Sequence, residues 1–220
     1  MWAALALAQW EYPSLPSQRA PILLCITSAH ESRRELQPQH VRVFGVSVSH
    51  HGRTLYVPLA ESCMDYTWVP GDPAQTAAGG LDIRFTLRLR PDTDGKMGRI
   101  EAVNLETGKV IWTDRQRAPI ASAMLATAGG LVFGGAQNRQ FTAYDAATGE
   151  VLWEVGLNAT PSSYPITYSV DGKQYVAVVS GGGGPLDASG ASLAPEFDNP
   201  AGGTTLWIFK LPEAGGAAGQ

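Results

Sequence analysis

Apolar and polar residues alternate in short runs along the chain, and turn-forming residues separate the runs. A period of two residues predicts a β-strand with one buried face and one solvated face. The runs that predict strands are residues 43–49, 54–58, 82–90, 101–105, 141–145, 163–168, 173–179 and 205–211. The pattern therefore predicts an all-β fold.

Two stretches of the chain are near copies of each other. RIEAVNLETGKVIW ends at Trp112, and QFTAYDAATGEVLW ends at Trp153. Each copy predicts a β-hairpin whose second strand closes on the tryptophan. The indole has enough area to pack on a neighbouring unit of the repeat, and we expect it to do so.

The turn inside each copy has residues suited to reversing the chain. Asn104 and Asp145 carry side-chain oxygens that can accept backbone N–H bonds within the turn. Gly108 and Gly149 come at the point where the backbone needs a positive φ. Both copies therefore predict the same hairpin geometry.

The spacing of the two copies indicates the architecture. A repeat of about 40–45 residues made of short strands has the size of one β-propeller blade, and the step from Trp112 to Trp153 falls in this range. A blade cannot bury both of its faces alone, so it needs neighbours arranged around a common axis. We predict a β-propeller, with a hairpin repeat in another all-β fold as the alternative.

Composition agrees with an all-β protein and bounds its partners. The 220 residues are 16% charged and include 25 glycines and 15 prolines, and the net charge is −4. This balance predicts no nucleic-acid partner.

The apolar first eight residues lack a positively charged region, so they are not a convincing signal peptide. The two cysteines, Cys25 and Cys63, are too few to define a disulfide framework, so the sequence leaves open whether they pair.

The histidines do not predict a metal site. They are His30, His40, His50 and His51. Adjacent residues on a strand point to opposite faces, so His50 and His51 are interpreted as a solvated turn. The histidines therefore supply no predicted metal ligand.

Several motifs follow one another between about residues 45 and 210. They are Leu55–Pro58, Glu61–Tyr66, Leu125–Phe133, the two copies that end in tryptophan, and Pro165–Val178. In this order they resemble the C-terminal part of the quinoprotein alcohol, methanol and ethanol dehydrogenases, which depend on pyrroloquinoline quinone (PQQ).

The resemblance implies a fold and a chemistry. The fold is an eight-bladed propeller with PQQ on its axis, beside a calcium or lanthanide ion. The activity is the oxidation of an alcohol, with cytochrome c or a quinone as the electron acceptor, in the periplasm. This chain has enough residues for about three to four four-stranded blades. The resemblance therefore implies a fragment that is inactive alone, with its catalytic residues and metal ligands outside this chain.

The resemblance also divides the chain and suggests a site. Residues 1–42 are expected to be an irregular segment outside the family, residues 43–211 the partial propeller, and residues 212–220 a flexible tail. Ile120, Ala121 and Ser122 match a family segment that lies next to PQQ, so they are the predicted cofactor contacts. A partial propeller has open blade edges, which predicts self-association.

A different class of function stays open beside this one. A non-catalytic propeller module of the same repeat type, acting as a protein-binding scaffold, would have no affinity for PQQ and one specific protein partner. The motifs at 61–66 and 126–133 favour the dehydrogenase, because propeller scaffold proteins of outer-membrane assembly do not share them.

Overall fold

The computed structural model describes residues 22–24, 40–43, 45–49, 52–70, 81–182, 191–197, 199–200 and 203–210. Fourteen β-strands lie in these ranges. They are β1 Ile22–Leu24, β2 His40–Val43, β3 Ser47–Val48, β4 Thr54–Pro70, β5 Leu81–Arg88, β6 Gly98–Asn104, β7 Val110–Gln116, β8 Leu125–Ala126, β9 Leu131–Gly135, β10 Gln140–Asp145, β11 Val151–Gly156, β12 Ile166–Val170, β13 Lys173–Gly181 and β14 Thr204–Lys210. A short 3-10 turn, Pro91–Thr93, precedes β6. No helix within the described part of the chain is long and apolar enough to cross a membrane.

The second sheet is a complete four-stranded blade. Strands β8, β9, β10 and β11 are antiparallel and lie side by side in chain order. The second sequence copy forms the hairpin of β10 and β11, in which Ala143 pairs with Trp153. The hairpin predicted from this copy is therefore confirmed.

The first sheet contains a blade of the same design and three additional strands. Strands β3, β4, β6 and β7 lie in chain order, and the first sequence copy forms the hairpin of β6 and β7. Strands β1, β2 and β5 pair with β4 as well. The blade therefore carries an extension built on one long strand.

Strand β4 is longer than the alternation predicted, because it continues past Pro58 to Pro70. A proline cannot donate a backbone hydrogen bond, so it is normally excluded from the interior of a sheet. Pro58 lies where this matters least: on that side of β4, β3 pairs with Leu55 and Tyr56, and β2 begins pairing at Leu59. The proline occupies the gap between two short partner strands.

The third sheet has three strands in the described residues, β12, β13 and β14, again in chain order. Strand β14 is its outer edge. One face carries Val176 and Val178, which pack towards the second sheet. The other face exposes Ile166, Val170, Leu206 and Ile208 by 50–59%.

Two apolar cores hold the three sheets together. Between the first and second sheets lie Tyr56, Ile100, Ile120, Val132 and Tyr144, together with four smaller or sulfur-containing residues. Between the second and third sheets lie Phe133, Phe141, Ala143, Leu157, Val176 and Val178. Full burial of one large apolar side chain contributes about 1.5–3 kcal/mol. The sheets therefore pack face to face as consecutive blades, which confirms the predicted partial propeller.

The tryptophan that closes the first copy packs on the next blade, as expected. The Trp112 indole N–H donates to the Ala146 carbonyl oxygen at 3.1 Å. Its ring lies between Tyr56 and Tyr144, with centroid distances of 6.0 and 6.5 Å. Gly149 makes this possible, since a β-carbon there would lie 2.7 Å from the Trp112 ring. Trp153 repeats the contact with the third sheet, with its ring centroid 5.2 Å from that of Phe209.

The predicted domain boundaries stay predictions. Residues 1–21, 25–39 and 211–220 lie outside the described residues, and so do His30, His50 and His51. Strands β1 and β2 come from the segment expected to be irregular, and both pair with β4.

Candidate functional site at the inner edges of the blades

The first strands of the three sheets converge on one another. The Met124 N–H donates to the Gly45 carbonyl oxygen at 2.9 Å, which joins the second sheet to the first. The Ala123 N–H donates to the Ser163 carbonyl oxygen at 3.3 Å, which joins the second sheet to the third. The opposite edges of the sheets are formed by β7, β11 and β14. The converging edges are therefore the inner side of the propeller, where this architecture encloses its central channel.

The predicted cofactor contacts lie at this inner edge. Two of their side chains, however, are buried and make contacts within the protein. Ile120 is 2% exposed and belongs to the core between the first two sheets. The Ser122 hydroxyl donates to the Ala123 carbonyl oxygen at 2.8 Å and accepts the Gly135 N–H at 2.7 Å. Ala121 is partly exposed, and its N–H donates to the Gly135 carbonyl oxygen at 2.9 Å. Cofactor contact by these three residues stays a prediction, and Ala121 has the side chain best placed for it.

The serine that precedes the inner strand occurs in both the second and the third sheet. Ser122 and Ser163 are separated by the same offset as Trp112 and Trp153, and the Ser163 hydroxyl accepts the Val179 N–H at 2.9 Å. Each serine thus ties the segment that enters the inner strand to the second strand of its own sheet. The offset that relates the hairpin copies could have identified this pair from the sequence.

The inner edge is lined by small and uncharged side chains. The three segments that meet there are Gly45–Ser49, Ala121–Met124 and Ser162–Pro165, and none contains a charged residue. Small residues leave room for a planar group against the backbone, so this surface fits the ring of a quinone cofactor. Charged partners for such a cofactor would have to come from other segments.

Tyr164 is the exception in size at this edge. It is 75% exposed, yet its ring contacts the backbone of the first sheet. A β-carbon on Gly45 would lie 2.3 Å from Tyr164 Cε1 and 2.7 Å from the Ala123 β-carbon. The tyrosine ring therefore crosses the inner edge of the second sheet and reaches the first.

A second polar feature is a buried carboxylate at the end of the first blade. Glu61 is 0% exposed at its side chain, and its Oε1 lies 3.0 Å from nitrogens of both Arg90 and Arg99. Its Oε2 lies 3.2 Å from Arg115. Arg90 also donates to both carboxylate oxygens of Asp92, and this bonding lowers the pKa of the Asp92 carboxyl. The sequence did not predict this cluster, because its arginines come from separate elements.

The cluster is structural in character. Three guanidinium groups surround one carboxylate, so Glu61 serves as their shared counter-ion. Its partners connect β4, the turn before β6, β6 itself and β7. The arrangement clamps these elements at the end of the first blade.

Tyr144 and Asp114 are titratable groups between the first two sheets. Burial raises the pKa of the Tyr144 hydroxyl, and the nearby Asp114 carboxylate adds to the effect. Burial also raises the pKa of the Asp114 carboxyl, while Lys96 opposes the shift. Both groups belong to the interface between blades and lie outside the inner-edge segments.

Within the described ranges, no group of three or more histidine, cysteine, aspartate or glutamate side chains is arranged to hold a metal ion. Cys63 is disulfide-bonded. Cys25, the other cysteine of the sequence, lies outside the described residues.

Comparison with known proteins identifies the repeat. The family model for the β-propeller domain of PQQ-dependent glucose, ethanol and alcohol dehydrogenases matches residues 87–176. Quinoprotein alcohol dehydrogenase PedH of Pseudomonas putida is 35% identical over 158 residues, which cover 72% of this chain and 26% of that protein. Quinoprotein ethanol dehydrogenase of Pseudomonas aeruginosa is 34% identical over 157 residues, which cover 71% of this chain and 25% of that protein.

Solved structures agree. The europium-containing methanol dehydrogenase superimposes with a TM-score of 0.63 at 29% identity, over 76% of this chain and 32% of that one. Two further relatives, the 1-butanol dehydrogenases of Thauera butanivorans, are 31% and 32% identical and are named with a quinone and with cytochrome c. The chain spans about a quarter of the length of the first two relatives. It belongs to the family of PQQ-dependent alcohol dehydrogenases and carries part of the β-propeller domain.

Proposed function

We propose that this chain is a fragment of a quinoprotein dehydrogenase that oxidises alcohols, and that it supplies consecutive blades to the cofactor site. The observation that carries the proposal is the convergence of three inner edges made of small, uncharged residues, with Ala121 partly open among them. When bound, PQQ supplies the hydride-accepting chemistry, and calcium or a lanthanide supplies Lewis acidity.

The residues of this chain contribute to this chemistry by shaping the surface against which the cofactor would lie. Ser122 and Ser163 fix the backbone of the inner segments through their hydroxyl groups. The fixed backbone holds Ala121 at the channel. Ile120 and Ser122 support this position from within the sheet, and Ala121 makes the direct contact.

We propose further that the chain is inactive alone. The inner segments carry no charged residue, and the described residues include no group of three or more histidine, cysteine, aspartate or glutamate side chains arranged to hold a metal ion. The general base and the metal ligands would come from blades outside this chain. The complete enzyme would act in the periplasm and pass electrons to cytochrome c or a quinone, as the names of the butanol-oxidising relatives suggest.

Open blade edges would also let the chain associate with itself. Among the described residues, β14 is the last strand of the third sheet, and the face that carries Ile166, Val170, Leu206 and Ile208 has no cover. A sheet edge beside an apolar face favours pairing with another chain.

The proposed contact can be tested by PQQ binding to the purified 220-residue chain. We expect titration with PQQ to quench tryptophan fluorescence, and Ala121→Arg to weaken binding at least about tenfold by filling the inner edge. Ala147→Arg is the matched control, because Ala147 is an exposed alanine in the hairpin turn of the same sheet.

The outcomes separate the two classes of function. Equal binding by the Ala121 and Ala147 variants would contradict the inner-edge site. Binding by the unmodified chain would contradict the protein-binding scaffold, which is expected to have no affinity for PQQ. Alcohol-dependent dye reduction by the pure chain with PQQ and calcium would contradict the proposed inactivity.

A further inference from the structure

The connection between β13 and β14 leaves the third sheet and comes back to it. We call its residues 191–197 and 199–200 the strap. A β-carbon on Gly182 would lie 2.7 Å from the Pro200 carbonyl oxygen, so the chain returns close to the point at which it left β13. In between, the strap contacts the first and second sheets. The third sheet therefore contributes a segment to two sheets that precede it in the chain.

The side chain of Arg117, just after β7, holds the strap against the first sheet. Its Nη2 donates to the Leu193 carbonyl oxygen at 2.8 Å, and its Nε lies 2.7 Å from Oε1 of Glu196. Its Nη1 donates to the Gly95 carbonyl oxygen at 2.8 Å, in the turn that precedes β6. One guanidinium group thus joins the first sheet to a segment of the third.

The strap also closes one end of the core between the first two sheets. Ala194 is 1% exposed, and Phe197 packs against the core that contains Ile120. The Asn199 side-chain amide donates to the Gln137 carbonyl oxygen at 3.1 Å, in the turn between β9 and β10. Apolar and polar contacts therefore hold the strap on both sheets at once.

The repeat shows that Arg117 does more than join successive sheets. Asn158 follows Arg117 by the offset that separates the two hairpin copies. Asn158 donates to the Thr205 hydroxyl at 2.8 Å and accepts the Trp207 indole N–H at 3.1 Å, so it ties its connection to the next sheet alone. The longer arginine reaches a segment that comes from one sheet further on. This contact is an addition to the repeat and is not required by it.

The strap is attached less firmly than the strands around it. Its described residues belong to no strand, so no ladder of backbone hydrogen bonds fixes them. The side chains of Arg117 and Glu196 are 36% and 45% exposed. Segments with few backbone bonds open at a lower free energy than the strands of the core.

We propose that the strap is a conformational device that opens locally, and that Arg117 is its latch. Release of the latch lifts the strap from the end of the core while the blades stay folded. The partly exposed ion pair with Glu196 makes the latch sensitive to ionic strength. This inference is independent of the proposed function, because it holds whether or not the chain binds PQQ.

Hydrogen–deuterium exchange of the full chain, followed by mass spectrometry, tests the latch. Arg117→Met keeps the apolar part of the side chain and removes its charge-assisted hydrogen bonds. We expect the amides of the strap to exchange at least about tenfold faster, with β9 and β10 unchanged. Arg53→Met is the matched control, since it removes an arginine that lies 3.6 Å from Glu106 on the first sheet, far more exposed than Arg117.

Strap exchange in Arg117→Met that is no faster than in Arg53→Met would overturn the latch. An equal rise in β9 and β10 would also overturn it, because the strap would then open only when the blades unfold.

Ionic strength gives a second readout, which does not require the arginine variant to fold. Raising the salt concentration from about 0.05 M to about 0.5 M should speed exchange of the strap in the unmodified chain, because salt screens the ion pair. Glu196→Gln removes that pair and should show no such dependence. A salt effect of the same size in both forms, or in neither, would overturn the part assigned to the ion pair.

Discussion

At the scale of single residues, the role of Glu61 depends on the arginines that surround its carboxylate. Its carboxylate is fully buried against Arg90, Arg99 and Arg115. A buried charge is tolerated only when it is paired and hydrogen-bonded. Loss of the carboxylate would remove the counter-ion that the three guanidinium groups share, and leave Arg90 with Asp92 and Arg99 with Glu101 as the remaining ion pairs.

We therefore expect Glu61→Gln to lower the free energy of unfolding by about 3–5 kcal/mol. Urea denaturation would measure the change. The control is Glu106→Gln, since the Glu106 carboxylate lies 3.6 Å from Arg53 with both side chains largely exposed. Exposed pairs contribute at most about 1 kcal/mol, so equal effects of the two substitutions would contradict the structural clamp.

Asp114 gives a prediction about pH. Burial raises the pKa of its carboxyl, so the ionised form at neutral pH costs folding free energy. That cost disappears as the pH falls through the folded-state pKa towards the ordinary value of 3.8. Asp114→Asn should therefore increase stability at pH 7 and weaken the pH dependence between pH 7 and 4.

Denaturation curves at several pH values would check this prediction. Glu150→Gln removes the same charge from an exposed position in the turn of the second copy. If Asp114→Asn changes the pH profile no more than this control does, burial of the Asp114 carboxyl is not the cause.

At the scale of elements, the contact between successive blades depends on one glycine. Gly149 has a φ of +76°, and a β-carbon there would lie 2.7 Å from the Trp112 ring. Gly108 has a φ of +67° at the same position of the first copy, with open space around it. Both glycines have a left-handed backbone, but only Gly149 has a tryptophan ring packed against it.

We expect Gly108→Ala to cost about 1–2 kcal/mol for the left-handed backbone alone. Gly149→Ala should cost about 1–3 kcal/mol more, because Trp112 must move to admit the methyl group. Thermal or urea unfolding of both variants measures the difference. In a Trp112→Ala background the difference should vanish, and its persistence would rule out the packing explanation.

At the scale of the whole molecule, the sheets differ in how much of their apolar surface is packed against a neighbouring sheet. The first two sheets meet through one apolar core and the second and third through another. The far face of the third sheet carries Ile166, Val170, Leu206 and Ile208, which are half-exposed or more, without cover among the described residues. This asymmetry makes the third sheet the expected place of self-association.

We expect Ile208→Lys to shift the chain towards the monomer in analytical ultracentrifugation, because a charge on the uncovered face opposes its burial. Leu152→Lys is matched in exposure, since both residues are 52% exposed, but Leu152 lies on β11 of the second sheet. A shift in both variants, or in neither, would show that the third sheet is not the contact surface.

The sequence by itself determined the hairpins, the repeat and the family. Period-two alternation, an Asn or Asp turn and a glycine of positive φ are local signals, and the constant offset between the copies reveals how the units succeed one another. These features depend on neighbours in sequence, so they can be recognised without coordinates.

Only the tertiary structure decided what the side chains do between the blades. It extended β4 past Pro58, because the proline falls in a gap between partner strands. It turned Ile120 and Ser122 inwards and left Ala121 partly open at the channel. It brought Glu61 to three arginines, and it brought Tyr164 to Gly45 from the far end of the propeller segment. Such contacts arise when sheets pack face to face, and their partners are set by the arrangement of blades rather than by any local pattern of residues.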